Sequence, residues 1–110
     1  MRIVLMNSAM MPESGTYKCK YVDIDTFVKS FKKAYAKVKS FENSIGYPDT
    51  ASFLSKILGV EVPMNRTNTS LVSGDMIWVV RKAQRFEDPT MKGVKEVDPS
   101  DYVYAVIEFK

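Results

Sequence analysis

Histidine is absent from this 110-residue chain, and that absence excludes more chemistry than any residue present. With no imidazole, His-based general acid–base catalysis, Ser–His and Cys–His nucleophile pairs and imidazole metal sites all fall away. Cysteine is nearly absent as well. Cys19 stands alone, so an intrachain disulfide is impossible and a cysteine-rich metal cage cannot be assembled. A reducing cytoplasm is the expected compartment. Long apolar runs are also missing. The opening MRIVLM stops at Asn7, too soon for a signal-peptide core or a membrane span. It reads as a first strand instead, and no membrane association is expected. No internal repeat, low-complexity tract or proline-rich linker divides the chain.

What remains is an ordinary composition for a globular domain, with 45% hydrophobic and 26% charged residues. A chain of this length makes one domain and buries roughly 65% of the surface its unfolded form exposes. Sixteen Lys and Arg against thirteen Asp and Glu leave a net charge of +3, a mild bias towards an anionic partner.

Periodicity places the elements. After the Arg2 to Met6 strand, MMPESG carries turn chemistry, and Tyr17 to Val22 alternates as a half-exposed strand. From Asp25 the period becomes helical: Phe27, Val28, Phe31, Ala34, Tyr35 and Val38 share a face, with Asp25 or Asp23 available as N-cap and an end near Lys39. The opposite face carries Lys29, Lys32, Lys33 and Lys37. It reads either as a nucleic-acid stripe or as a solvated face whose lysine stems cover apolar surface. The spacing predicts a second helix over Pro48 to Leu58. Pro48 stands at the first helical position, Tyr47 at the N-cap, Ala51, Leu54, Ile57 and Leu58 form the buried stripe, and Gly59 is the stop. Further on, Arg66 to Val72 reads as a strand, Ser73 to Asp75 as a hairpin turn, and Met76 to Lys82 (MIWVVRK) as a buried strand. AQRFEDPTMKG reads as a polar loop and VDPSD as a turn or short helix. Tyr102 to Phe109 closes the chain as an alternating strand. About five strands and two helices define an α/β domain, a mixed sheet with helices packed on it.

Three stretches could carry chemistry. In NSIGYPDT a glycine precedes a helix N-terminus, where free backbone N–H groups and the helix dipole favour an anion, phosphate above all; the alternative is a plain strand-to-helix turn. In AQRFED, Arg85 could clamp a phosphate while Gln84, Glu87 and Asp88 offer amide and carboxylate groups; the alternative is a solvated loop whose charges pair with one another. Third, Arg66 follows a proline, and Asn7 and Ser8 end the first strand, where α/β folds gather ligands.

Taken together, NSIGYPDTASFLSKILGVEVPMNR, GDMIWVVRKAQR and the terminal YAVIEF resemble the small viral type III anti-CRISPR ring nucleases of archaeal viruses. The likeness covers most of the chain and is strongest from Asn43 to Arg85. It implies a homodimer whose shared groove binds cyclic tetraadenylate, a cyclic RNA second messenger, and cleaves it without metal or other cofactor in the host cytoplasm. The implied ligand-binding residues are Asn7, Ser8, Ser44, Gly46, Thr50, Arg66 and Gln84. Arg85 would stabilise charge on the phosphate, and Asp88 stands where the family usually has glutamate. Tyr47 stands where the family has its catalytic histidine. Imidazoles ionise near pH 6.5 and phenols near pH 10, so a tyrosine gives up a proton less readily to the departing 5′-oxygen. Two readings follow: a slow ring nuclease using Tyr47 as acid or positioning group with Arg85 and Asp88, or a non-catalytic sponge that holds the messenger. A third is a viral interaction domain for a host protein or another nucleic acid. MIWVV and the Tyr102, Tyr104 face are the candidate dimer surfaces.

Overall fold

A computed structural model describes residues 1–8, 14–65, 67, 69–82 and 99–110. Five strands form one mixed sheet in the order β2-β5-β4-β1-β3. They are β1 (Ile3–Met6), β2 (Tyr17–Val22), β3 (Glu42–Ser44), β4 (Met76–Lys82) and β5 (Tyr102–Phe109). Strand β1 lies inside the sheet, parallel to both β3 and β4, with Met6 opposite Ser44 on one side and Val79 on the other. Strand β5 is antiparallel to β4 and β2. Helix α1 (Ile24–Val38) joins β2 to β3, and α2 (Pro48–Leu58) follows β3 directly. A single 3-10 turn at Pro99–Asp101 precedes β5.

Strict alternation gives the sheet two apolar faces. Ile3, Leu5, Trp78, Val80, Tyr102 and Tyr104 point one way and pack under Phe27 and Phe31 of α1 and Ala51, Phe53, Leu54 and Leu58 of α2. Val4, Met6, Ile77, Val79, Ala105, Ile107 and Phe109 point the other way, joined by Leu71. Trp78 anchors the helical face: its indole N–H donates to Ser30 Oγ at 3.0 Å and its ring meets Phe31 edge-on at 5.7 Å.

Both helices begin and end as their residues dictate. Asp23, not Asp25, caps α1, its carboxylate accepting from Thr26 N–H at 2.7 Å. That bond, shared by side chain and backbone geometry, holds the Asp23 carboxyl below its ordinary value. Lys39 then turns into the left-handed conformation as C-cap. Helix α2 runs over the expected residues and stops at Gly59, whose φ of 71° suits glycine. Its buried stripe is broader than the spacing implied, taking in Thr50 and Phe53, while Ile57 is half-buried. Lys29, Lys32, Lys33 and Lys37 are exposed. No described helix is long and apolar enough to cross a membrane.

Among its described residues, the strand expected over Arg66 to Val72 does not form. Its described residues, 67 and 69–72, join no ladder, and the fifth strand is Glu42–Ser44. β-branched residues fit a pleated surface only where a partner edge is free. Residues before and within this stretch are instead tied by side chains and isolated backbone bonds. Asn65 N–H donates to Ile45 O at 2.7 Å, Asn65 Nδ2 to Asn43 O at 2.8 Å, and Val72 N–H to Asp75 Oδ2 at 2.9 Å. Ser73 and Gly74 do form a turn, closed by Asp75 N–H to Val72 O at 3.0 Å, but it leads from this extended segment into β4 and is not a hairpin. The polar loop expected from Ala83 lies outside the described residues.

The two candidate dimer surfaces are also corrected. Ile77, Trp78, Val79 and Val80 are at most 2% exposed and Tyr102 and Tyr104 are 5% exposed within a single chain. They are occupied by the fold's own core.

Candidate functional site

Parallel pairing of β1 with β3 and β4 brings three strand ends to one edge of the sheet, the side on which open α/β sheets bind ligands. Asn7 and Ser8 leave β1 there, Ser44 ends β3, and Lys82 ends β4. The chain turns from β3 through Ile45 and Gly46 into α2, whose first turn lies across these ends. Three contacts fix that placement. Gly46 N–H donates to Asn7 Oδ1 at 3.1 Å, Lys82 Nζ lies 3.3 Å from Asp49 Oδ2, and the Thr50 and Tyr102 hydroxyls are 3.3 Å apart.

Buried Asn43 organises the turn. Its side-chain oxygen accepts from Ile45 N–H at 2.9 Å and its amide donates to Pro63 O, while its own carbonyl accepts from Asn65. One residue therefore joins β3, the β3–α2 turn and the 63–65 segment. An asparagine suits this hub because its amide both donates and accepts.

The site residues expected from sequence divide into those brought together and those beyond description. Asn7, Ser44, Gly46, Tyr47 and Thr50 converge at the mouth of α2, with Ser8 next to Asn7. The Ser44 hydroxyl approaches Leu5 O at 3.5 Å. Arg66, Gln84, Arg85 and Asp88 lie outside the described residues.

Two details depart from expectation. The Gly46 N–H, expected to be free for an anion, is bonded to Asn7. Asn7 therefore shapes the turn through its side-chain oxygen. Thr50 is 2% exposed and its hydroxyl meets Tyr102 inside the core, so the backbone N–H is the group it can offer the mouth. That burial, with the Asp49 charge nearby, raises the Tyr102 phenol above its ordinary value despite the opposing effects of Thr50 and Lys82.

Tyr47 occupies the N-cap of α2 in an extended conformation and makes no side-chain cap bond. The residue is 50% exposed, and Lys82 Nζ lies 6.0 Å from its ring centroid. Pro48 has no N–H, and Ala51 N–H closes the first helical bond on Tyr47 O at 3.0 Å. The N–H groups of Tyr47, Asp49 and Thr50 have no acceptor among the described residues, so they are the donors a helix N-terminus presents to an anion. Among the described residues no three Cys, Asp or Glu side chains converge as metal ligands.

Sequence reasoning passed over Lys82 and Asp49. Both read as ordinary surface charges on their own elements. Only strand direction, which no local spacing encodes, brings the end of β4 against the first turn of α2.

Among the described residues a mixed sheet with two helices on one face carries polar groups at the ends of its parallel strands, and this defines a small α/β domain. The family model described as STIV B116-like matches residues 3–104, and this chain belongs to that family. The structure of B116 of Sulfolobus turreted icosahedral virus has the same fold, with a TM-score of 0.72 over 98% of this chain and 99% of that one, at 15% identity. Uncharacterized protein YddF of Bacillus subtilis is 39% identical over 67 residues, and uncharacterized protein 26 of a Sulfolobus islandicus filamentous virus is 33% identical over 63. These matches take in 60% and 56% of this chain and 58% and 53% of the two relatives. The chain thus spans little more than half the length of either, and its relatives include archaeal viral proteins and a bacterial one.

Proposed function

We propose that this chain binds cyclic tetraadenylate as a two-fold dimer and cleaves it slowly without metal, countering type III CRISPR signalling in the host cytoplasm. The observation that carries the reading is the gathering of Asn7, Ser44, Gly46 and the exposed Tyr47 at the mouth of α2, beside N–H groups with no described acceptor. A ring of four identical nucleotides has a two-fold axis, so two copies of such a mouth can hold it with duplicated contacts.

In the reaction a ribose 2′-hydroxyl attacks its own 3′-phosphorus in line with the departing 5′-oxygen and gives up its proton to water. The P–O5′ bond breaks, a 2′,3′-cyclic phosphate forms, and the 5′-oxygen takes a proton. Geometry enforced by the mouth brings these atoms into line. Tyr47 is the proposed donor of that proton, a role supported by its making no side-chain cap bond to the helix. Arg85 keeps the role that the sequence resemblance assigns it, stabilising the charged phosphorane, and Asp88 stands where the family usually has glutamate. The sponge reading uses the same mouth, with the ring of half-exposed Tyr47 stacked on adenine.

One assay separates the alternatives. The protein is incubated with labelled cyclic tetraadenylate in EDTA, ring and linear products are resolved, and binding is followed by titration calorimetry. Linear products at a slow rate support the nuclease. Binding with an intact ring supports the sponge. No binding at micromolar protein ends both readings and leaves an interaction domain.

A further inference from the structure

The sheet has two edges, and the fold treats them differently. Beside β3, Asn65 Nδ2 donates to Asn43 O, Asn65 N–H donates to Ile45 O and the Asn43 amide donates to Pro63 O, so the 63–65 segment covers that edge. Strand β2, at the other edge, pairs with β5 alone among the described residues. Lys18, Cys19, Lys20 and Tyr21 are all exposed there, Tyr21 at 68%.

The register decides which groups face outwards. Lys110 N–H donates to Thr16 O at 2.8 Å, and hydrogen-bonded and open pairs alternate along an antiparallel ladder. Lys18, Lys20 and Val22 therefore bond to Glu108, Val106 and Tyr104 of β5. The backbone N–H and C=O groups of Cys19 and Tyr21 point away from β5 and meet no partner among the described residues. Side chains alternate too. Tyr17 stacks on Phe109 on the face away from the helices, so Cys19 and Tyr21 share that face, while Lys18, Lys20 and Val22 stand on the helical one. Glu108 stands opposite Lys18 and Val106 opposite Lys20, and among the described residues neither lysine closes an ion pair. Where the strand ends, an open apolar groove of about 570 Å³ is lined by Tyr21, Val22, Ile24, Pro99, Val103 and Tyr104. Asp23 at its rim is engaged with Thr26 N–H.

A second copy does not fit this edge. Two β2 strands meeting about a two-fold axis normal to the sheet run antiparallel, and their outward groups require Tyr17, Cys19 and Tyr21 to pair among themselves. Each register that overlaps most of the strand then sets Lys18 opposite Lys20 or Lys20 opposite itself, and like charges directly opposite destabilise a sheet. Lysines on an edge discourage such self-pairing. The same charges suit a strand of opposite sign.

We propose that β2 receives an extended acidic segment of another protein, which adds antiparallel to the sheet edge. Its backbone bonds to Cys19 and Tyr21, alternate carboxylates face Lys20 and Lys18, and a bulky apolar side chain preceding them enters the groove. Strand β2 and strand β3, which feeds the α2 mouth, are opposite edges of the sheet, so this surface does not depend on the nucleotide reading.

The test titrates the full chain with the capped peptide Thr-Phe-Thr-Glu-Thr-Glu-Thr, up to millimolar concentration, while backbone amide NMR shifts are followed. Aligned antiparallel, its Phe stands opposite Val22 and its two Glu opposite Lys20 and Lys18. Saturable shifts should concentrate on Cys19, Tyr21 and the groove. Methylating the two peptide nitrogens that face Tyr21 and Cys19 removes the donors of the new ladder and should abolish binding. Exchanging both Glu for Lys should weaken binding at least about tenfold, and a Lys18→Glu/Lys20→Glu variant should prefer the lysine peptide by a similar factor. Exchanging Phe for Ala should also cost about tenfold or more. Both substituted positions are exposed, and dispersed spectra verify that the variant folds. Silent β2 amides, undiminished binding of the methylated peptide, or equal binding of the two charge patterns each overturns the proposal. So does protection of the Cys19 and Tyr21 amides that grows with protein concentration when no peptide is present, because a second copy is then the occupant.

Discussion

Replacing Arg2 by Met should cost more stability than replacing Asp75 by Asn, although both changes break one ion pair. Asp75 is 1% exposed, and its carboxylate accepts from Arg2 Nη2 at 2.7 Å, Arg2 Nε at 3.2 Å and Val72 N–H at 2.9 Å. The Arg2 side chain is 36% exposed. When Asp75 is neutralised, the guanidinium can turn to water and keep its bond to Ser70 O, and the Asn amide oxygen can still accept from Val72. The loss is about 1–2 kcal/mol, the net worth of the hydrogen bonds given up. When Arg2 is removed, a carboxylate remains buried with one neutral donor. Breaking a buried pair in this direction costs about 3–5 kcal/mol, reduced here to about 2–4 because Arg2 is partly solvated. At roughly 4 °C per kcal/mol for a domain near this size, the two variants should melt about 8–16 °C and 4–8 °C below wild type. The double Arg2→Met/Asp75→Asn variant strands no charge, so its loss should fall short of the sum by about 1–2 kcal/mol. Urea unfolding reports all three through Trp78, which is 2% exposed and hydrogen-bonded when folded. An Arg2→Met variant no less stable than Asp75→Asn, or strictly additive losses, would refute the argument.

Three further outcomes are expected. Tyr47→His should raise cleavage of cyclic tetraadenylate at least about tenfold at neutral pH, a floor set below the roughly 10²- to 10⁴-fold that general acid–base catalysis typically supplies; an unchanged product-formation rate would show that position 47 does not limit the chemistry. At Gly15 a Cβ would collide with Phe109 Cε1, on a ring stacked against Tyr17 at 4.4 Å, so Gly15→Ala should destabilise by about 1–3 kcal/mol in thermal melts. Tyr102 has a folded pKa above its ordinary 10.0. The unfolded chain therefore loses that proton first, and the tyrosine's contribution, complete below pH 10, fades as pH rises through the folded value. Tyr102→Phe should flatten the alkaline decline of stability measured against wild type.

Much of the fold was legible because its signals are local. Pro48, the Ala51 and Leu54 stripe and Gly59 mark α2 from end to end, and the alternation of Tyr102 to Phe109 marks β5. Strand β3 was not legible. Three residues, Glu42, Asn43 and Ser44, show no alternation long enough to read, and they form a strand because β1 offers them an edge. Thr and Val after Arg66 carry the better β composition, yet that segment is held by Thr67 N–H on Asn65 O, by Arg2 on Ser70 O and by Val72 N–H on Asp75. The site followed the same division. Asn7 and Tyr47 flank elements whose ends are written in nearby residues. The pairing of Lys82 with Asp49 and of Thr50 with Tyr102 depends on the order and direction of strands, which emerge only from assembly.

The interior position of β1 has a consequence for how the protein is made. This strand is synthesised before its neighbours, and its partner Met76 stands 73 residues after Ile3. Until that later stretch has left the ribosome, an apolar strand waits without the β4 ladder that completes its burial. Such distant pairing slows folding and leaves sticky backbone open to other chains. Truncations ending before β4 should therefore aggregate in the cell even though both helices are present in them.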